Sequence, residues 1–232
     1  MDHAETVALL WPDPQPPKRG PKPRITLEQI VQTGIELADA DGLDSVSMQR
    51  IADRLGVTKM SLYRYAPGKG ALLALMLDRA LDAPPEDLAA ASDWRAGLRS
   101  WAFAMHGALA AHPWAIALAV GIRPFGPNEL RWTEVGLRVL GQTDLARADR
   151  LDALALVAIH VRGMVQESGG DDAVERGIGE IMTAVLEARV VSFPEVSAAF
   201  SEAAAAGGQD EALGFGLERI LDGLERFMAE PK

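Results

Sequence analysis

Residues 47–66, "SMQRIADRLGVTKMSLYRYA", carry two short helical patterns on either side of a Gly-Val turn. Ser47 is a helix-capping residue type, and Ile51, Ala52 and Leu55 recur behind it at helical spacing. Gly56 then supplies the residue that most readily ends a helix in a left-handed turn. Thr58 stands where a second cap is needed, and the helix it opens is predicted to run to about Tyr65. Helix, glycine-containing turn, helix is the arrangement of a helix-turn-helix. On its second helix Val57 and Leu62 face inward, whereas Lys59, Met60 and Tyr63 share the opposite side by their i, i+1, i+4 spacing, with Arg64 beside them.

The flanks extend the pattern into a small domain. Thr26 followed three residues later by Gln29 predicts a capping box, and Leu27, Ile30, Val31, Ile35 and Ala38 follow at helical spacing until "DADG" stops them near Gly42. Upstream, "WPDPQPPKRGPKPR" (11–24) is too rich in proline for helix or ladder and predicts an extended, flexible arm carrying Lys18, Arg19, Lys22 and Arg24. Downstream, Leu72, Leu73, Leu75, Met76 and Leu77 cover most of the circumference of a helix over 71–81, which predicts burial. From Pro84 onward the chain reads as helix after helix, with spans near 93–111, 114–120, 128–141, 145–168 and 172–190, a short one from Pro194 and a last one from about Glu211 to Ala229. No alternating pattern of useful length suggests a strand. The expectation is an all-α chain: an arm over 1–25, a helix-turn-helix domain over 26–70, a connecting helix over 71–83 and a larger helical domain over 84–232.

Composition narrows the function. The longest apolar run, "WAIALAVGI" (114–122), is far short of the roughly 20 residues needed to span a bilayer, and "VALLW" near the start lacks the basic leader of a signal peptide. Absence of cysteine excludes disulfides and thiolate chemistry, so a cytoplasmic protein is expected. The net charge of -10 hides an asymmetry: residues 18–79 hold ten Lys/Arg against seven Asp/Glu, while residues 80–232 hold thirteen against twenty-three. A polyanion binder concentrates its cations in this way, and a solvated face with a chance excess is the competing reading.

In a helix-turn-helix the second helix enters the major groove with its first residues on base edges. Lys59 suits guanine acceptors, Met60 a thymine methyl, and Tyr63 a base or a phosphate. Ser47, Thr58, Ser61, Tyr65 and Lys69 suit phosphate oxygens. The alternative is an amphipathic surface helix on which Tyr63 and Tyr65 are packing residues. The basic arm, through Arg19, Lys22 and Arg24, could enter a neighbouring minor groove.

The run 26–81, with its "SMQRIADRLGVTKMSLYRY" and "GKGALL" segments, resembles the DNA-binding domain of the tetracycline-repressor (TetR) family of bacterial regulators. "HPW" (112–114), "GPNEL" (126–130) and "FGLERILDGLERF" (215–227) are similar to the ligand-binding half of the branch that includes the tetracycline repressors. The resemblance implies an all-helical homodimer that binds a palindromic double-stranded DNA operator and leaves it when a small molecule fills the larger domain. By position it assigns base reading to Gln49, Lys59, Met60 and Tyr63, and phosphate contact to Ser47, Ser61, Arg64, Tyr65 and Lys69. Tetracycline repressors have a longer basic side chain where Gln49 stands, so a different operator sequence is implied.

Residues 93–168 concentrate large side chains, which suggests a pocket with apolar walls and a few polar contacts. Trp101, Met105, Trp114, Phe125, Trp132 and Met164 are candidate walls, and His106, Asn128, His160 and Glu167 candidate polar contacts; ordinary core packing is the competing reading for each. Ala119 and Ile122 stand where polar and metal-binding groups would meet tetracycline, so a small, largely apolar effector of unknown identity is expected, with no cofactor. His160 and Glu167, about 10 Å apart along a helix, cannot clasp one metal ion unaided. Apolar stripes (Leu151, Leu154, Ala155, Ala158, Val165; Leu213, Leu217, Ile220, Leu221, Leu224, Phe227) suggest two helices for a homodimer interface, with intradomain core as the alternative. An enzyme is not expected, because the four histidines lack a neighbouring nucleophile and "GFGLER" lacks the last glycine of a dinucleotide loop. A ligand-independent regulator or an activator stays open beside the ligand-released repressor.

Overall fold

The computed structural model describes residues 3–13, 24–91, 93–168, 181–182, 184–186, 192–206 and 212–230. The helix expected over 172–190 lies largely outside them. The described residues are all-α, without a strand, and fall into two compact units: Met1–Ala89 with Trp114–Arg138, and Ala90–Pro113 with Val139–Lys232.

The first unit is built on α1 (His3–Leu10), α2 (Leu27–Asp41), α3 (Met48–Leu55), α4 (Lys59–Tyr63), α5 (Lys69–Leu81), α7 (Ala115–Leu118) and the start of α8 (Pro127–Leu140). The capping box opens α2: the Gln29 amide donates to Thr26 Oγ1 at 3.2 Å and the Thr26 amide to Gln29 Oε1 at 2.9 Å. Ser47 Oγ accepts from the Arg50 amide at 3.2 Å and starts α3. Gly56, at φ 64°, turns the chain from α3 into α4. Ile30, Val31, Ile35 and Leu37 of α2 form one core with Ile51 of α3, Leu62 of α4, and Leu72 and Met76 of α5.

Two local expectations change. Thr58 does not cap α4 through its side chain, because its hydroxyl is engaged by Ser61 Oγ at 2.9 Å; α4 ends at Tyr63 and continues as a turn. The N-terminal segment is not an extended arm throughout. His3–Leu10 is helical and packs on α5 with Thr6 and Leu10 buried, and the Trp11 indole donates to the Phe125 carbonyl at 3.0 Å. Thr6 and Leu10, one turn apart, give this short helix a buried side ahead of the first proline.

The second unit packs α6 (Trp94–Ala110) and α11 (Ala212–Ala229) on α9 (Arg147–Ser168), and also contains α10 (Pro194–Ala206) and helical residues at 181–182 and 184–186. Asp93 caps α6 by accepting from the Ala96 amide at 2.9 Å. Leu98 and Trp101 of α6, Val157 and Val161 of α9, and Leu217 and Leu221 of α11 are buried. A Cβ on Gly97 would lie 2.9 Å from Val139 Cγ1, so α6 approaches the end of α8 at van der Waals limits. Arg95 ties α6 to α11, with Glu218, Asp222 and Glu225 at 2.7, 2.5 and 3.1 Å. The hydrogen bonds from Arg95, then those from Arg219, hold the Asp222 carboxyl below its ordinary range.

Candidate nucleic-acid interface and effector-contact residues

α4 is only five residues long, and its orientation is set by Leu62, which is fully buried in the core of the first unit. The pitch of the helix then leaves Lys59, Met60, Tyr63 and Arg64 exposed. Met60 is 72% exposed, an unusual position for a thioether. The Lys59 ammonium lies over the Tyr63 ring, 5.8 Å from its centre, which places a cation and an aromatic face together on one side of the helix. Ser61 is half-buried beside Thr58, and Tyr65 packs partly against the core, leaving its remaining edge outward.

Neighbouring elements add polar groups. Gln49 is exposed on α3 and its amide nitrogen donates to Asp53 Oδ1 at 2.8 Å, while Ser47 is half-buried and serves as the α3 cap. Arg24 reaches the turn between α3 and α4, donating from Nη2 to the Gly56 carbonyl at 3.3 Å. Lys69 is exposed at the first residue of α5. Arg19 and Lys22 lie outside the described residues. A cationic, hydrogen-bonding surface with one apolar side chain is thus built around a short helix whose other face is core, and nothing in it resembles a nucleophile and its base.

A comparison with known proteins decides the family. Residues 30–76 match the family described as bacterial regulatory proteins of the tetR family, and residues 86–228 match the tetracyclin repressor-like C-terminal domain. The HTH-type transcriptional repressor DrrR1 of Streptomyces coeruleorubidus is 35% identical, over 99% of this chain and 88% of its own.

The chain belongs to the TetR family.

Among solved structures, a possible TetR family regulator from Streptomyces coelicolor A3(2) superposes with a TM-score of 0.73 at 28% identity, covering 87% of this chain and 100% of the other. A variant of TetR from Acinetobacter baumannii AYE in complex with minocycline has a TM-score of 0.66 at 25% identity, covering 90% and 97%. This TetR-family protein is therefore a DNA-binding transcription regulator and not an enzyme.

The candidate effector contacts of this TetR-family chain are divided between the two units. In the first, Trp114, Phe125, Asn128 and Trp132 all have internal engagements. The Trp114 indole donates to Asp39 Oδ1 at 2.7 Å, and that of Trp132, which is buried, to the Leu81 and Asp82 carbonyls at 3.3 and 3.1 Å. Asn128 is buried and donates from Nδ2 to the Asp78 carbonyl at 2.9 Å. Phe125 is exposed, with the Arg123 guanidinium 4.9 Å from its ring centre; Arg123 also pairs in a forked contact with Glu129. In the second unit Trp101 is buried, and Met105 and His106 on α6 and Met164 on α9 are half-buried. His160 donates from Nε2 to the Leu213 carbonyl at 3.0 Å, with Gly216 so close that a Cβ there would collide with the imidazole. Glu167 is exposed near the end of α9.

Sequence reasoning passed over Asp78 and Arg123. Asp78 is buried within the apolar α5, and its Oδ1 accepts from the Asn128 amide at 2.8 Å and the Glu129 amide at 3.3 Å. Burial pushes its carboxyl above the usual range, against the downward pull of those two amides. The available signal was an acid amid "LLALMLDRAL" (72–81), where an unpaired charge would be costly.

Proposed function

We propose that this regulator is a ligand-released repressor: a cytoplasmic homodimer that places α4 of each protomer in successive major grooves of a palindromic operator. The observation that carries the reading is the split character of α4, with Leu62 in the core and Lys59, Met60 and Tyr63 facing water. Lys59 donates to guanine acceptors, Met60 packs on a thymine methyl, and Tyr63 and Gln49 read adjacent edges. Ser47, Thr58, Ser61, Arg64, Tyr65 and Lys69 hold phosphates and fix the register, and Arg19, Lys22 and Arg24 extend the cationic track. One short helix reads only a few base pairs, so useful specificity needs two helices about 34–36 Å apart on one duplex.

Support for the dimer comes from α9 and α11, which keep apolar side chains in solvent after packing on each other: Leu151, Leu156 and Ile159 on α9, Phe215 and Phe227 on α11. Leu154, Val165, Leu217 and Leu221 of the same stripes serve the core of the unit. Of the two stripes, Leu151 and Phe227 stay exposed, and Leu156, Ile159 and Phe215 add exposed apolar area on the same helices, which suits the self-complementary surface that a two-fold interface requires.

The effector is a small, largely apolar and aromatic molecule. The candidate contacts, each taken within its own unit, are Trp114, Phe125, Asn128 and Trp132 in the first and, separately, Trp101, Met105, His106, His160, Met164 and Glu167 in the second. That a TetR variant from Acinetobacter baumannii AYE is in complex with minocycline supports response to a small molecule as such. Such a ligand favours one placement of α5 over another, and operator affinity falls by its differential affinity for the two states. The test is titration of a fluorescent operator duplex with and without a panel of small, largely apolar compounds, with minocycline as the polar comparison. Release by one compound supports the reading. Tight operator binding that no compound weakens supports the ligand-independent alternative.

A further inference from the structure

α8 begins without a cap of its own. Its first backbone amides have no partner within the helix, and Gly126, the residue at the capping position, has no side chain to offer. Asp78 fills that role from another helix. Its Oδ1 accepts from the amides of Asn128 and Glu129 at 2.8 and 3.3 Å, and a carboxylate at a helix N-terminus also gains from the helix dipole. Asn128 returns the contact by donating from Nδ2 to the Asp78 carbonyl at 2.9 Å. Any Cβ on Gly126 would collide with the Asp78 carboxylate, so the absence of a local cap and the presence of the remote one require each other.

The two ends of α5 serve different neighbours. Leu72 and Met76 belong to the core that holds α2, α3 and α4, and Gly34 of α2 lies against Met76. Asp78, Leu81 and Asp82 bond to the segment 128–132, through the Asn128 and Glu129 amides and the Trp132 indole. A displacement at 125–132 therefore cannot leave α5 in place unless buried, charge-assisted hydrogen bonds break.

We propose that Asp78 is the positioning residue that couples the reading head to the effector-contacting segment 125–132, acting as a remote cap that makes α5 and the start of α8 move together. The assignment rests on the repressor reading above and names how its two activities communicate. Because coupling between two ligands is reciprocal, DNA bound at α4 must be felt at 125–132 even before the effector is known.

The test uses the full chain and the duplex recovered by selection from random DNA, with amide hydrogen exchange at 125–132 recorded with and without that duplex. For the wild type, operator binding changes exchange at Asn128 and Glu129 on the order of fivefold or more. Asp78→Asn keeps an acceptor oxygen and retains the response. Asp78→Ala, and independently Gly126→Ala, lose it while operator affinity without effector stays within about threefold of wild type, since neither residue lies on the DNA-facing surface. A wild type that binds the duplex with unchanged exchange at 125–132, or an Asp78→Ala protein that keeps the wild-type response, overturns the coupling role alone. A wild type that holds no duplex overturns the repressor reading and the coupling role with it.

Discussion

Gly34 on α2 and Met76 on α5 meet so closely that a Cβ on the glycine would lie 2.7 Å from the methionine sulfur. Both helices leave the same core, and their close approach sets where α5 emerges from the reading head. Replacing Gly34 by Val forces Met76 or the backbone to move. The expected cost is about 1–3 kcal/mol, read by chemical denaturation, with a loss of operator affinity larger than the loss of stability explains. A Gly34→Val protein of wild-type stability would mean that the helix pair has slack.

Met60 and Leu62, two residues apart, should respond in opposite ways. Leu62→Ala opens a cavity in the core and is expected to cost about 2–5 kcal/mol. Met60 is 72% exposed, so for Met60→Ala stability stays within about 0.5 kcal/mol, while the operator preference loosens at one base pair. Thermal denaturation and selection from random DNA separate the two effects.

Much of the reading head was legible because its signals are local. The capping box of Thr26 and Gln29 spans three residues, the Ser47 cap three and the Gly56 turn one, so each could be recognised without knowing any distant contact. The effector-contact candidates were less legible for the opposite reason. Trp114 bonds to Asp39 across 75 residues and Asn128 to Asp78 across 50, and a side chain's type does not reveal whether it faces a ligand or is tied to another helix. Helix α1 was hidden by brevity: one turn of spacing between Thr6 and Leu10, ahead of a proline-rich run, carries little periodicity.

Two carboxylates should shape the acid limb of stability with opposite signs. Asp222 is held low by its hydrogen bonds from Arg95 and Arg219, so its contribution is present above the unfolded carboxylate range, about pH 3.9, and is lost as pH falls through its lower folded value. Asp78 is pushed up by burial, so the folded state holds its proton longer; stability from this group is present below that range and is lost as pH rises through its higher folded value. Relative to wild type, Asp222→Asn should therefore flatten the loss on acidification, and Asp78→Asn should flatten the loss on neutralisation. Urea midpoints measured from pH 3 to pH 7 would check both, and shifts of the same sign for the two variants would contradict the assignment.

Ile159 is 58% exposed and Phe227 48% exposed, on helices that pack together in the second unit. If they meet their counterparts across a two-fold axis, Ile159→Glu and Phe227→Glu should each halve the mass seen by sedimentation while leaving helical content unchanged. Operator affinity should then fall at least about a hundredfold, because each head binds alone. A wild type that sediments as a monomer at micromolar concentration would remove the interface.

The face of α4 carrying Lys59, Met60 and Tyr63 is proposed to read DNA. Selection of bound duplexes from a random pool at two salt concentrations tests it most directly. The expected result is recovery of one palindrome with half-sites about one helical turn apart, bound less tightly as salt rises, and a shallower salt dependence for Lys59→Ala. Failure to enrich any sequence, or enrichment unaffected by Lys59→Ala, Met60→Ala and Tyr63→Ala together, would contradict it.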